Sequence, residues 1–200
     1  MRIKERLSYS QFSTYLSGEN AYIKRYFEGV RLENKYLSFG SMIAEGLEFR
    51  EAPTRNKDIL IARKLIPCPQ YREKEINADF GSVPLTGKMD GFWDKEQFLI
   101  EEYKTGKGGK NAWTQSKVDK HFQLIFYVIM ISKIYGIPPE KIRVRLYWLE
   151  TYEDTDGELH LTGQKRTFEA IFTQDDIIGS YPIIKRVWEG IEALTNKYAS

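Results

Sequence analysis

The sequence predicts an α/β (α+β) protein with a mixed central β-sheet flanked by helices. Three observations predict it. Helical patterns fill residues 1–50; strand-like alternation fills 70–172, interrupted by one long apolar helical stretch; and an amphipathic helix follows over 173–200. Strands interleaved with helices build layers around a sheet. No Pro/Gly/Ser-rich linker and no low-complexity tract divides the 200 residues. The chain therefore reads as a single domain over 1–200.

The elements follow in order. Ser8 or Ser10 caps a helix bearing Phe12, Tyr15 and Leu16, broken at Gly18. Asn20–Phe27 turns Tyr22, Tyr26 and Phe27 inward, and a further helix spans about Gly40 to Arg50 with Ile43 and Leu47 one turn apart. From Tyr71, three strands with tight connections precede a helix from about Thr114 to Tyr135, which ends at Gly136 before Pro138-Pro139. Ile142–Tyr152 alternates as a strand, and Thr155-Asp156-Gly157 turns into another through Phe168–Phe172. Thr173 caps the last helix, to about Tyr198, with Pro182 as a kink or break.

Composition excludes several classes. Hydrophobic residues at 42% and charged residues at 29% fit neither a disordered polyelectrolyte nor a membrane protein. Lys and Arg number 30 against 28 Asp and Glu, so a basic surface must come from uneven placement. The single Cys68 excludes an internal disulfide and a four-cysteine cluster; between Pro67 and Pro69 it is expected to pack as a small hydrophobe. The longest apolar run, Leu124–Ile131, is far short of the ~18–20 residues of a bilayer span, and the first residues lack an apolar signal segment. A cytoplasmic protein without a membrane partner is expected.

One constellation carries chemistry. Asp90 lies on one predicted strand, and Glu102 and Lys104 share a face of the next. A three-residue loop Lys95-Glu96-Gln97 places Asp90 opposite Glu102; a two-residue loop places it beside Glu101. Two close carboxylates and an ammonium suit Mg²⁺, which takes one or two carboxylates and keeps waters. The Tyr103 carbonyl, between Glu102 and Lys104, can add an oxygen. Lys104 can position or deprotonate a water, or neutralise charge on a phosphate. In the predicted apolar helix, Gln123 and Tyr127 stand four apart on one face, in a stripe that Lys120 joins, so this pair needs partners or a cleft.

Gly87-Lys88-Met89-Asp90, then Glu102-Tyr103-Lys104, then Gln123 and Tyr127 resemble the ordered motifs G-x-x-D, (D/E)-x-K and Q-x-x-x-Y of the RecB-like branch of the PD-(D/E)XK nuclease superfamily. The opening Leu7–Arg31 and the stretch Phe39–Glu48 are similar to the start and first helix of the same proteins, so the resemblance runs from about Leu7 to Leu149. It implies a restriction-endonuclease-like core and Mg²⁺ or Mn²⁺ held by Asp90, Glu102 and the Tyr103 carbonyl. It implies Lys104 as catalytic lysine, and Gln123 and Tyr127 touching DNA or steadying the site. The branch's metal-binding His falls at Ala44. Either the site runs with fewer ligands, or Glu45 or Glu48 substitutes, or the enzyme is disabled, by nature or by an engineered His-to-Ala change; helical Glu ligands elsewhere in the superfamily favour Glu48. The iron–sulfur cysteines of some members are missing, so no cluster is expected, and simpler phage exonucleases are the nearer comparison.

Lys104, Lys107, Lys110, Lys117 and Lys120 stand against Asp119 alone, with Trp113 and His121 among them. Such a stretch suits phosphate tracking and base stacking or end-wedging; a solvated lysine-rich loop is the equal alternative. His121 is read as a phosphate contact or a surface group, and His160 as a surface imidazole. Arg2, Lys4, Arg6, Lys24 and Arg25 are a possible second basic edge. No helix-turn-helix or zinc finger points to base readout. The expected function is a metal-dependent DNA exonuclease of phage or mobile-element recombination, replication or repair, with DNA ends as substrate and a homo-oligomer or a single-strand-annealing or recombination partner. The alternatives are an impaired DNA-binding or assembly protein on the same fold, and a structure-specific endonuclease.

Overall fold

The computed structural model describes residues 5–30 and 34–199. Arg2 and Lys4 lie outside them. The elements run β1 (Leu7–Ser8), α1 (Tyr9–Leu16), α2 (Glu19–Tyr22, continued by a π-turn over Ile23–Phe27), α3 (Lys35–Glu48) and α4 (Lys57–Leu65). Strands β2 (Tyr71–Phe80), β3 (Val83–Trp93) and β4 (Phe98–Lys107) follow, then α5 (Gln115–Val118), α6 (Phe122–Tyr135), β5 (Ile142–Glu153), β6 (Leu159–Ile171) and α7 (Gln174–Ala199).

The sheet is mixed. β3 runs antiparallel to β2 and β4, β4 runs parallel to β5, and β6 returns antiparallel to β5. β3 has two edges, and one pairs with β2 over nearly its whole length. The other edge is divided. Gly91, Phe92 and Trp93 pair with β4, whereas Leu85 and Thr86 pair in parallel with Leu7 and Ser8 of β1. Residues 87–90 lie between these two pairings, where β3 and β4 have separated. This fork positions the candidate site.

Both faces of the sheet are covered. One face and α6 bury Phe92, Ile100, Leu146, Trp148 and Phe126 against α1 and α7. The other face buries Tyr147 and Leu149 under Phe39, Ile43 and Leu47 of α3 and Ala62 of α4. Leu124 to Ile131 of α6 are buried all round, as a helix apolar on every side requires. Gly136 ends α6 in the left-handed region, φ 65°.

Several expectations change. The helix expected over 114–135 is two: α5 is capped by Thr114, and the chain bends before α6. His121 takes an extended conformation there, packed edge-on between the Tyr9 and Trp113 rings. α3 begins at Lys35, because Asn34 accepts the Tyr36 N–H at 2.8 Å. The structure adds α4 and β1, which the sequence pattern does not predict. The cues for α4 were present: an Asn56 cap, Asp58 in the first turn, and Arg63 and Lys64 in the last. α7 continues through Pro182 without a break. Cys68 is exposed, since the buried neighbour is Pro69.

His160 is not a free surface imidazole. Its Nδ1 lies 3.1 Å from Asp58 of α4, and its Nε2 lies 3.2 Å from Asp154 of the β5–β6 turn. Asp58 also accepts the Leu161 N–H at 2.7 Å. The Asp58 and Asp154 carboxylates hold the His160 pKa above its ordinary value. The charged bridge is complete below the unfolded-state pKa of about 6.5 and is lost as pH rises through the raised folded value. The melting temperature of the wild type should exceed that of His160→Gln at pH 6, with the gap shrinking steadily toward alkaline pH. A gap that does not change with pH would rule out the charged bridge.

Candidate active site

The fork brings Asp90, Glu102, Lys104, Gln123 and Tyr127 together. Gly91 pairs with Glu101, so Asp90 is level with Glu102, the register of the three-residue loop. The ladder stops there. Asp90 Oδ2 takes the place of a strand carbonyl and accepts the Tyr103 N–H at 2.6 Å. A buried N–H needs an acceptor, so the parting of the strands and the aim of the carboxylate are one event.

The neighbouring strand is adjusted at the same level. Tyr71 and Arg72 of β2 pair with Phe92 and Gly91, and Lys74 pairs with Met89, but Glu73, level with Asp90, makes no such pair. Glu73 has φ 49°, left-handed for a residue with a Cβ. Lys74 packs over the Tyr71 and Phe92 rings at 4.2 and 4.6 Å, on the α6 face, while Arg72 bonds Glu48 and Glu51 on the α3 face. The up-down alternation therefore shifts at Glu73 and Asp90 in both strands together. Glu73 forms an ion pair with Lys88.

Glu102 and Lys104 face α6. Lys104 Nζ lies 2.5 Å from Glu102 Oε1 and donates to Gln123 Oε1 at 3.0 Å. The Gln123 amide donates to Glu102 Oε1 and to Tyr127 Oη, both at 2.8 Å. Tyr127 in turn donates to the Lys88 carbonyl at 2.7 Å. The bend at His121 allows this, because it sets Gln123 in the first turn of α6. Gln123 and Tyr127 thus direct their polar atoms into the site. The glycine of the first motif belongs to the same contact: a Cβ on Gly87 would lie 2.9 Å from the Tyr127 ring and 2.8 Å from Met130.

Charge does not balance here. Burial, then Glu102, pushes the Asp90 carboxyl well above the usual range, against the pull of Lys104 and the Tyr103 N–H. Burial pulls Lys104 down most strongly of any one effect, but Glu102 and Asp90 together outweigh it and raise its pKa, so Lys104 is an ammonium. Two carboxylates face one cation, and a buried net charge is costly. Glu102 Oε2 is buried with no hydrogen-bond partner among the described residues. Orphaned oxygen and excess negative charge both fit a divalent cation beside Asp90 and Glu102.

The other expected residues have surroundings of their own. Glu48 ends α3 and lines a surface cleft with Gln70, Tyr71, Arg72 and Lys74; its charge reaches Lys88. Glu45 is exposed, and Ala44 is half-buried. Among the described residues no three His, Cys, Asp or Glu side chains gather closely enough to hold a metal. α3 lies on the β4 face carrying Tyr103, and a Cβ on Gly40 would touch Thr105. Lys107 pairs with Glu153 at 2.7 Å, and Lys117 donates to the Ala112 carbonyl at 2.7 Å. Lys110 and Lys120 are exposed, and Trp113 is half-buried against the core. Arg6 pairs with Asp79, Arg25 bonds Thr14, and Lys24 is exposed. Sequence reasoning missed Tyr9, whose phenol is close enough to Lys104 and Glu102 to feel both charges. Its signal was the Ser8 cap, which makes Tyr9 the first helical residue.

Gly87→Ala should displace the Tyr127 ring and destabilise the protein by about 1–3 kcal/mol, the usual cost of overpacking. Chemical denaturation checks it; a variant as stable as wild type would show that the ring moves freely.

A sequence profile of the PD-(D/E)XK nuclease superfamily matches residues 61–196. No curated protein matches the sequence at a significant level. An inferred exonuclease from Eubacterium rectale has a similar crystal structure, with TM-score 0.59 and 14% identity, covering 98% of this chain and 83% of that one. The structure of the protein SSO0001 is also similar, with TM-score 0.54 and 14% identity, covering 97% of this chain and 78% of that one. At these identities the likeness shows the fold, and the profile, spanning most of the chain and taking in Asp90, Glu102, Lys104, Gln123 and Tyr127, shows the family. The chain belongs to the PD-(D/E)XK nuclease superfamily.

Proposed function

We propose that this protein is a single-domain, metal-dependent deoxyribonuclease that hydrolyses phosphodiester bonds at DNA ends. The carrying observation is the Asp90–Glu102 pair, with a buried, unpartnered Glu102 oxygen beside the Lys104 ammonium. Asp90 and Glu102 would hold Mg²⁺ or Mn²⁺, with the Tyr103 carbonyl within reach along the same strand. Such an ion offsets the carboxylate charge, polarises a phosphate and acidifies water. Lys104, as an ammonium, stabilises negative charge gathering on the phosphate oxygens. Gln123 fixes Lys104 and Glu102 relative to each other, and Tyr127 anchors Gln123 to β3. The exposed Lys110 and Lys120 offer charge for the DNA backbone on the approach to α6. Action at ends agrees with the exonuclease name of the Eubacterium rectale neighbour. Phage or mobile-element recombination or repair in the cytoplasm is the setting the motif resemblance implies.

Ala44 favours a second reading, a DNA-binding or assembly protein with an impaired site. One experiment separates the two. End-labelled linear DNA and a covalently closed circle are incubated with Mg²⁺ or Mn²⁺. The linear DNA should be degraded and the circle spared, with EDTA abolishing the reaction. Asp90→Asn and Lys104→Ala should each lose about 100-fold or more in rate, the scale of losing a transition-state charge partner. Wild-type activity equal to that of Asp90→Asn would reject the nuclease reading. Salt-dependent DNA binding without cleavage, with cleavage appearing in Ala44→His, would establish the impaired site. Cutting of the circle would establish an endonuclease.

A further inference from the structure

Tyr9 packs its half-buried ring against the core. Leu7 and Ser8 pair in parallel with Leu85 and Thr86 of β3, just before residues 87–90 of the fork. Ser8 closes a reciprocal cap with Gln11, accepting its N–H at 3.3 Å and donating its own to Gln11 Oε1 at 3.0 Å. Tyr9 is therefore set at the first helical position of α1, at a place defined by two strands. Its ring is held edge-on by His121, with centroids 5.2 Å apart, and by Phe126 at 6.2 Å. Both belong to the start of α6 and its cap, the segment that carries Gln123.

Three polar atoms in this neighbourhood have no partner among the described residues. Glu102 Oε2 and His121 Nε2 are buried. The Tyr9 hydroxyl has no hydrogen-bond partner among the described residues and is not sealed from solvent, while its ring is half-buried. By contrast Lys104, Gln123, Tyr127 and Asp90 are all bonded. Buried polar groups normally find a partner, and an open hydroxyl beside two unpaired buried atoms is placed to meet a ligand that enters there. Burial keeps the Tyr9 phenol protonated, with Lys104 the next influence, pulling the other way. A protonated phenol beside an ammonium calls for an anionic oxygen acceptor. A cation completes Glu102, but it cannot accept a hydrogen bond from a phenol.

We infer that the Tyr9 hydroxyl donates a hydrogen bond to a non-bridging oxygen of the substrate phosphodiester. This rests on the nuclease reading above and adds a substrate contact from outside its three motifs. His121 acts through Tyr9, as the positioning residue behind its ring. Its imidazole stays neutral, since burial, then Lys104, lowers its pKa to about 4.

The test is Tyr9→Phe, which keeps the ring and removes only the hydroxyl. Two readouts are used. In the cleavage assay, kcat/KM on linear DNA should fall about ten-fold or more, as expected for losing a hydrogen bond to a charged group, with an unchanged melting temperature. For binding, both proteins carry Asp90→Asn, and affinity for a fluorescent DNA end is read by anisotropy. Affinity should fall several-fold on a normal end. The penalty should vanish when the terminal linkage is a methylphosphonate, which lacks one non-bridging oxygen. Wild-type kcat/KM and affinity in Tyr9→Phe would overturn the inference, as would a penalty that persists on methylphosphonate, because the loss would then be structural. Wild-type protein that binds ends without cutting them would sink the nuclease reading alone, and the methylphosphonate comparison would still decide the role of Tyr9. Failure of the wild-type protein to bind DNA ends would overturn both.

Discussion

The bond from the Tyr103 N–H to Asp90 Oδ2 is the contact on which the site depends. Strands β3 and β4 pair through Gly91 and Glu101 and then part. A parting sheet leaves backbone groups without partners, which is costly in a buried place. Asp90 answers that need with a side chain. The carboxylate is thereby drawn into the sheet plane beside Glu102, where two acids would not otherwise be placed. The left-handed Glu73 on β2 is the companion distortion, at the same level and with the pairing register kept on either side. Backbone strain of this kind persists only where surrounding structure imposes it, and it collects at working sites.

The motifs are parts of one contact network. Gly87 has no side chain because the Tyr127 ring occupies that space. Tyr127 holds Gln123, and Gln123 holds Lys104 and Glu102. A residue at one motif therefore limits what is tolerated at another some forty positions away. The arrangement is preorganised, since Lys104, Gln123 and Tyr127 are linked to Glu102 and β3 in one hydrogen-bonded chain before any substrate arrives. Within this network one buried Glu102 oxygen has no partner and the neighbouring Asp90 carboxyl is pushed well above its usual range, a condition that a cation relieves.

α6 shows how tertiary packing alters a local pattern. Its apolar run reads as one helix from Thr114, and nothing in the local propensity of Asp119-Lys120-His121 forbids that. The rings of Tyr9 and Trp113 take His121 between them, and the backbone bends to allow it. The uneven placement of lysines around Trp113 suits a DNA-facing stretch that takes in Lys107. Glu153 claims Lys107, and the core claims part of Trp113, because partners distant in sequence compete for the same side chains. α4 is hard to read from the sequence for a related reason. Its caps were legible, but its charged sequence shows little of the apolar face it sets against α3.

The sequence by itself determined the mixed sheet, the buried α6, and the sharing of one sheet face by Glu102 and Lys104, because strand period and helix period are local properties of the chain. It also determined that Gln123 and Tyr127 fall on one helical stripe. Whether Asp90 met them depended on loop length, and the choice was between two registers. Only the tertiary structure decided the fork of β3 from β4, the insertion of β1 on the freed edge, the strained Glu73 and the arrival of Tyr9. Each arises from chain segments far apart in sequence competing for the same strand edge or the same buried space, and no local pattern encodes that competition.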